Sequence, residues 1–254
     1  MMLHQFSRNE LTYGSEGTEI LKNSTVAILG IGGVGSFAAE ALARTGVGTL
    51  ILIDKDVIDI TNVNRQIHAT LKTVGRAKVE VMEERIADIN PNCKVIKLHM
   101  FYNDETKEAL FEHPIDFIID ASDTVTFKIH LIKECLRRKI KFISSMGAAN
   151  KLDPTKFEIT DIQKTSYDPM AKVIRTKLRK EKINGKVPVV YSTERPIIGR
   201  EDTLKVVGKE DSEFRKQQLP PASNAYVPSV AGLIAASYVV KELTKEIPIK
   251  RKGE

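Results

Sequence analysis

An α/β fold is predicted: a Rossmann-like open, mostly parallel sheet with helices on both faces, followed by a C-terminal elaboration of short strands, a loop and a helix. Three observations point there. β-rich apolar runs alternate with helical patterns along the first 150 residues. A glycine cluster, GIGGVG, follows the first of these runs directly. That run, its glycine turn, a helix and a second run fit within about 30 residues, the size of one right-handed βαβ unit.

The elements come in order. Residues 18–24 read as a helix end leading into TVAILGIG (25–32), an apolar run of the kind buried in a parallel sheet. Phe37, Ala38, Ala41 and Leu42 recur at helical spacing, and the helix stops at Gly46 before the strand TLILID (49–54). A helix over 76–90 ended by Pro91, a strand over 94–101, a helix around 104–111 and a strand over 116–122 come next. A helix over 124–139 and a strand over 141–149 complete a sheet expected over residues 20–150. Beyond Asn150 lie short strands (156–162, 187–193), a basic segment, a polar loop over 199–221 and a helix after Pro228. Three regions are expected: 1–24, an N-terminal helical segment; 25–150, the nucleotide-binding region; and 151–254, an elaboration of the same domain.

At 254 residues the chain can bury roughly three quarters of its unfolded surface. Its 42% hydrophobic and 28% charged content is that of a globular protein rather than a disordered one, and the 6% of aromatics does not suggest a single-strand stacking platform. The net charge of +6 is uneven: between residues 164 and 186, eight Lys and Arg face only Asp168 and Glu181. Such a patch is either a solvated helix face or a footprint for a polyanion such as RNA. Two isolated cysteines, Cys93 and Cys135, make neither a C-x-x-C metal site nor a disulfide framework, and a reducing cytoplasm fits. MMLHQFSRNE carries no secretory pattern. Residues 217–240 are uncharged, but the apolar part, VAGLIAASYVV, has 11 residues against the roughly 20 needed to cross a bilayer; a buried helix is expected and no stable membrane association.

Gly30, Gly32 and Gly35 satisfy G-x-G-x-x-G, and Asp54 ends the second strand where an acid would hold a ribose. That much fits NAD as well as ATP. The next residues along the chain are more specific. DKDVIDITNVNRQ (54–66) places Asp54, Asp56, Asn62 and Arg65 after the nucleotide strand, VGRAKVE adds Lys78, and DASDT puts Asp123 past the fourth strand. A dehydrogenase has little use for these cations beside its phosphates, whereas a triphosphate cleaved at its α-phosphorus needs them. Singly, each has a plainer reading: Asp123 as a helix cap, Arg65 and Lys78 as surface charges, Asp56 as a brace for the loop, His68 as a packed or capping histidine.

GIGGVGS, DKDVIDITNVNRQ, the lysine of GRAKVE and DASD resemble the signature of the ubiquitin-activating-like adenylating enzymes, the family of MoeB, ThiF and HesA, over roughly residues 6–150. LDPTKFEITDIQKTSYDPMAKVIR and YSTE extend the resemblance to the branch that dehydrates threonylcarbamoyladenosine in tRNA. The resemblance implies that Gly30, Gly32, Gly33 and Gly35 line the phosphates, Asp54 holds the ribose, Asn62 orients the phosphates, Arg65 and Lys78 contact the triphosphate, and Asp123 holds Mg²⁺. It also implies a homodimer in which Arg8 reaches the partner's active site. The activity implied is ATP-dependent cyclisation through an acyl adenylate, releasing AMP and pyrophosphate. No protein thiol is needed, because ring closure within one molecule can reach an effective molarity of roughly 10⁵–10⁸ M. The partner is then a tRNA anticodon loop held by Lys172, Arg175, Lys177, Arg179 and Lys180, with room for a monovalent cation and a sulfur-transfer protein. The rival activities are adenylation of a small carrier protein and NAD-dependent oxidoreduction.

Overall fold

In the computed structural model, which describes residues 3–200, 221–249 and 252, a single seven-stranded sheet runs in the order β3-β2-β1-β4-β5-β7-β6. Its strands are β1 (Thr25–Leu29), β2 (Thr49–Ile53), β3 (Lys94–Leu98), β4 (Phe117–Asp120), β5 (Lys141–Ser145), β6 (Phe157–Asp161) and β7 (Pro188–Ser192). All pairings are parallel except β6 with β7. The helices are α1 (Ser7–Lys22), broken at Gly14, α2 (Gly35–Thr45), α3 (Lys78–Ile89), α4 (Glu108–Phe111), α5 (Val125–Arg138), α6 (Pro169–Lys180) and α7 (Tyr226–Leu243). Among the described residues no helix is long and apolar enough to cross a membrane.

Strand periodicity separates two cores. Val26, Ile28, Leu50, Leu52, Phe117 and Ile119 face α2, α3 and α7; Ala27, Leu29, Ile51, Ile53 and Ile118 face α5 and α6. Each central strand is therefore buried on both faces, which is why it reads as a continuous apolar run rather than an alternating one. Small residues on α7, among them Ala231, Ala235 and Ala236, share the first core with Ala38, Ala39 and Leu42 of α2.

Three details depart from the expectations. The sheet does not stop near residue 150: β7 pairs beside β5, and β6 closes the edge in antiparallel register from Phe157 against Ser192 to Asp161 against Pro188. The helix expected around 104–111 shrinks to one turn, because Asn103 Oδ1 accepts the N–H groups of Glu105 and Thr106 and so offers the backbone a competing turn. α7 begins at Tyr226, with Pro228 inside its first turn, where a missing N–H costs no helical bond. Most of the polar loop expected over 199–221 lies outside the described residues.

Candidate active site

Because β1 lies between β2 and β4, the chain leaves β1 toward one half of the sheet and returns at β4 to build the other. A crevice opens at such a switch point, outside the carboxyl ends of the strands. Here it is a cleft of about 800 Å³, lined by the loops after β1, β2, β4 and β5.

The glycine loop forms its floor. Gly30 adopts φ +88°, and a Cβ there would meet the Ala121 carbonyl at 2.9 Å, so only glycine lets the loops after β1 and β4 touch. Gly30, Gly32 and Gly33 line the cleft. Gly35 does not: it opens α2, where a Cβ would lie 1.8 Å from the Gly30 oxygen, so it serves the close packing of helix against loop. The first helical bond runs from Ser36 N–H to Gly32 O at 3.0 Å, so the N–H groups of the cleft-lining Gly33 and Val34 precede the helix ladder. A helix start of this kind favours phosphate.

Asp54 leaves β2 with one carboxylate oxygen accepting from Ile31 N–H (2.7 Å) and the other from Asp56 N–H (2.8 Å). Burial pushes its pKa up, against the pull of Lys78. Lys78, at the start of α3, is buried rather than a surface charge; its Nζ lies 3.0 Å from Asp56 Oδ2 and 3.8 Å from Asp54 Oδ2. Burial works against the Asp56 charge, but the hydrogen bond from Lys55 and the charge of Lys78 hold its carboxyl below the usual range. Asp56 thus braces Lys78 and also lines the cleft.

Arg65 is half-buried on the cleft wall, donating to Thr61 O (2.7 Å) and Asn64 Oδ1 (2.9 Å), and burial lowers its pKa. Asn62 forms a capping box with Asp59 that shapes the turn carrying Arg65. Asp123 is exposed on the opposite wall, accepting only from Thr124 Oγ1 (3.2 Å), and makes no ion pair among the described residues. The cap of α5 is Thr124, without a side-chain bond, so Asp123 is not spent as a helix cap. Arg8, exposed on α1, lies outside the cleft of its own chain.

On α6, Lys172, Lys177, Arg179 and Lys180 are exposed, with Arg179 donating to Gln163. Arg175 points the other way. It shares a face with Ala171, Ile174 and Leu178, and its guanidinium donates to Thr165 O (2.9 Å) and Thr165 Oγ1, tying down the segment before the helix. The i, i+3, i+4 spacing 171, 174, 175, 178 carried that signal in the sequence.

Other residues of the site were not singled out from sequence. Gln66 lines the cleft with its Oε1 buried and unpartnered, and Phe101 packs edge-on against Phe127 at 4.5 Å on the side of Asp54. Under the Asp123 loop, Lys128 Nζ and Asp120 Oδ2 form a wholly buried pair at 3.1 Å. Ser144 Oγ donates to the same carboxylate (2.6 Å), and Ser122 donates to its other oxygen from both N–H (3.2 Å) and Oγ (2.8 Å). Neither cysteine is poised for chemistry: burial pushes the Cys93 thiol to about 11, and pushes that of the wholly buried Cys135 up as well.

His68 is buried beside the site with both ring nitrogens unpartnered; burial first, then the charges of Lys78 and Arg85, lower its pKa to about 4. Below the unfolded value of 6.5 the unfolded chain takes up a proton that the native chain refuses. Stability is therefore full above pH 6.5 and falls as pH drops to 4, by about 3 kcal/mol for this group. Chemical denaturation of wild type and His68→Phe across that window is expected to show a steeper fall in the wild type; parallel curves would contradict it.

A family profile described as ThiF family matches residues 6–253. The chain is 64% identical over 250 residues to tRNA threonylcarbamoyladenosine dehydratase of Bacillus subtilis, covering 98% of each. It is 37% identical over 250 residues to the enzyme of the same name from Escherichia coli, covering 94% of this chain and 93% of that one. A solved structure, Escherichia coli tRNA N6-threonylcarbamoyladenosine dehydratase in complex with ATP, superimposes with a TM-score of 0.83 at 34% identity, over 95% of this chain and 94% of that one.

Proposed function

Because this chain belongs to the ThiF family, and within it to the tRNA threonylcarbamoyladenosine dehydratases, we propose that it dehydrates threonylcarbamoyladenosine in tRNA at the expense of ATP. The observation that carries the reading is the pairing of Arg65 and Lys78 with Asp54 and Asp123 around one glycine-floored cleft. A redox dinucleotide needs no carboxylate poised for a cation beside its phosphates, as Asp123 is here. ATP fits each of these residues.

In this reading Asp54 accepts from the ribose hydroxyls, and the N–H groups of the glycine loop receive the phosphates, with Gly33 beneath the α-phosphorus. Arg65 and Lys78 offset charge that grows on the phosphates as the α-phosphorus is attacked. Asp123 is a single oxygen donor, which suits Mg²⁺, a cation that usually takes one or two carboxylates and completes its shell with phosphates and water. When bound there, Mg²⁺ would supply positive charge against the pyrophosphate. The substrate carboxylate forms a bond to the α-phosphorus as the bond to pyrophosphate breaks. The neighbouring carbamoyl group then closes on the activated carbonyl, loses a proton and expels AMP, which carries away the oxygen of the lost water. This chemistry balances without a monovalent cation or a sulfur-transfer protein. Arg8, outside its own cleft, is assigned to the partner's site in a homodimer, and the protein to the cytoplasm, where tRNA is found.

The test is to incubate the protein with ATP, Mg²⁺ and tRNA bearing threonylcarbamoyladenosine, digest, and weigh the nucleosides. Loss of one water supports the reading; unchanged mass with all components present overturns it. Of the five basic residues of α6 expected to hold tRNA, Lys172, Lys177 and Lys180 are exposed and have side chains without a hydrogen bond or ion pair among the described residues. Replacing all three with Ala is expected to weaken tRNA binding and flatten its logarithmic salt dependence by about two, leaving the KM for ATP unchanged. An unchanged salt slope in filter binding would remove α6 from the tRNA interface.

A further inference from the structure

The segment between β6 and α6 carries an aromatic ring that is not drawn into either core. Tyr167 is 59% exposed and sits at φ +56°, a left-handed conformation that a bulky side chain rarely adopts. The backbone there is set by the next two residues: Asp168 donates its N–H to Ser166 O (2.7 Å), caps α6 by accepting from Ala171 N–H (2.9 Å), and precedes Pro169. The turn thus holds the ring out toward water.

The ring is not alone. The Arg195 guanidinium lies 4.8 Å from its centroid, and Arg195 is held in place by its neighbour. The Glu194 carboxylate accepts the N–H groups of Leu152 and Asp153, while its carbonyl accepts from Lys151 Nζ (2.9 Å). The pair therefore stands on two anchored segments. The chain ties the ring to the cleft: the carboxylate of the next residue, Asp168, packs behind Gly147, which lines the cleft together with Met170, three residues beyond the ring. On the outer side, α6 leads through Lys172 to Lys177 and Lys180.

An exposed aromatic backed by a guanidinium and followed by lysines is a surface suited to an unpaired nucleobase and the phosphates beside it. Both flat groups stack on bases, and every base offers a face. We propose that Tyr167, backed by Arg195, is the stacking platform for an unpaired base of the RNA loop next to the modified adenosine, holding the loop so that the modified base enters the cleft. The inference rests on the tRNA-dehydratase reading for its substrate. The low aromatic content of the chain does not oppose it, since one placed ring suffices.

The experiment uses full-length protein and an anticodon stem-loop bearing threonylcarbamoyladenosine, with 2-aminopurine at the neighbouring loop position. Tyr167→Asn removes the ring while keeping a residue that tolerates positive φ, and Tyr167→Phe keeps the stacking face. Wild type and Tyr167→Phe are expected to quench 2-aminopurine on binding. Tyr167→Asn is expected to lose the quench and to raise the KM for RNA about tenfold or more, with kcat at saturating RNA and the KM for ATP unchanged. A wild type that quenches without dehydrating overturns the proposed activity and leaves the platform standing. A wild type that dehydrates, with Tyr167→Asn matching it in quench and KM, overturns the platform alone.

Discussion

Lys78→Ala is expected to lower single-turnover dehydration of tRNA by at least about 10²–10³-fold, the usual loss when one preorganised stabiliser of developing phosphate charge is removed. The effect is large here because Lys78 is the buried cation between Asp54 and Asp56. Without it, Asp54 faces an incoming polyphosphate with no cation beside it, and Asp56 has Lys55 alone. The fold is expected to survive, since Asp56 keeps Lys55 at 2.8 Å and half of its surface in water. The loss should therefore appear in AMP release and in nucleoside mass, not in the melting curve. Activity within tenfold of wild type would take Lys78 out of the chemistry.

Lys128→Met is expected to cost about 3–5 kcal/mol of stability, the range for leaving one member of a buried ion pair without its partner. For a chain of this size that is a fall in Tm of about 6–20 °C. Asp120 would keep only its hydrogen bonds from Ser144 and Ser122. The double variant Asp120→Asn, Lys128→Met should recover most of the loss, because the asparagine oxygen can still accept from Ser122, its NH2 can donate to Ser144 Oγ, and no charge stays buried. A single variant as stable as wild type by thermal denaturation would show that the charge finds water.

The central fold was legible in the amino-acid order because each local signal agreed with the next: the apolar runs of β1 and β2, the glycines between them and the spacing of α2 all demanded one βαβ unit. Asp54, Arg65, Lys78 and Asp123 were legible as a set because the topology returns every β-to-α loop to the same end of the sheet. The parts that were missed depend on long-range partners. β6 is an edge strand whose exposed Glu158 and Ile159 give no buried stripe, so its place beside β7 comes from pairing alone. Lys128 reads as one more lysine on an amphipathic helix, and only the arrival of Asp120 from the neighbouring strand explains its burial. Arg175 was readable from its spacing, but its charge pointed to the surface more strongly than its position pointed inward.

The placement of the two thiols, Cys135 wholly buried and Cys93 half-buried, has a consequence for the protein in a stressed cell. Neither sulfur is presented as a thiolate, and the chain has no other cysteine. Oxidants and electrophiles act on thiolates, and burial disfavours that form at both positions. Neither thiol lines the cleft, so a change at either sulfur reaches the active site only through the fold.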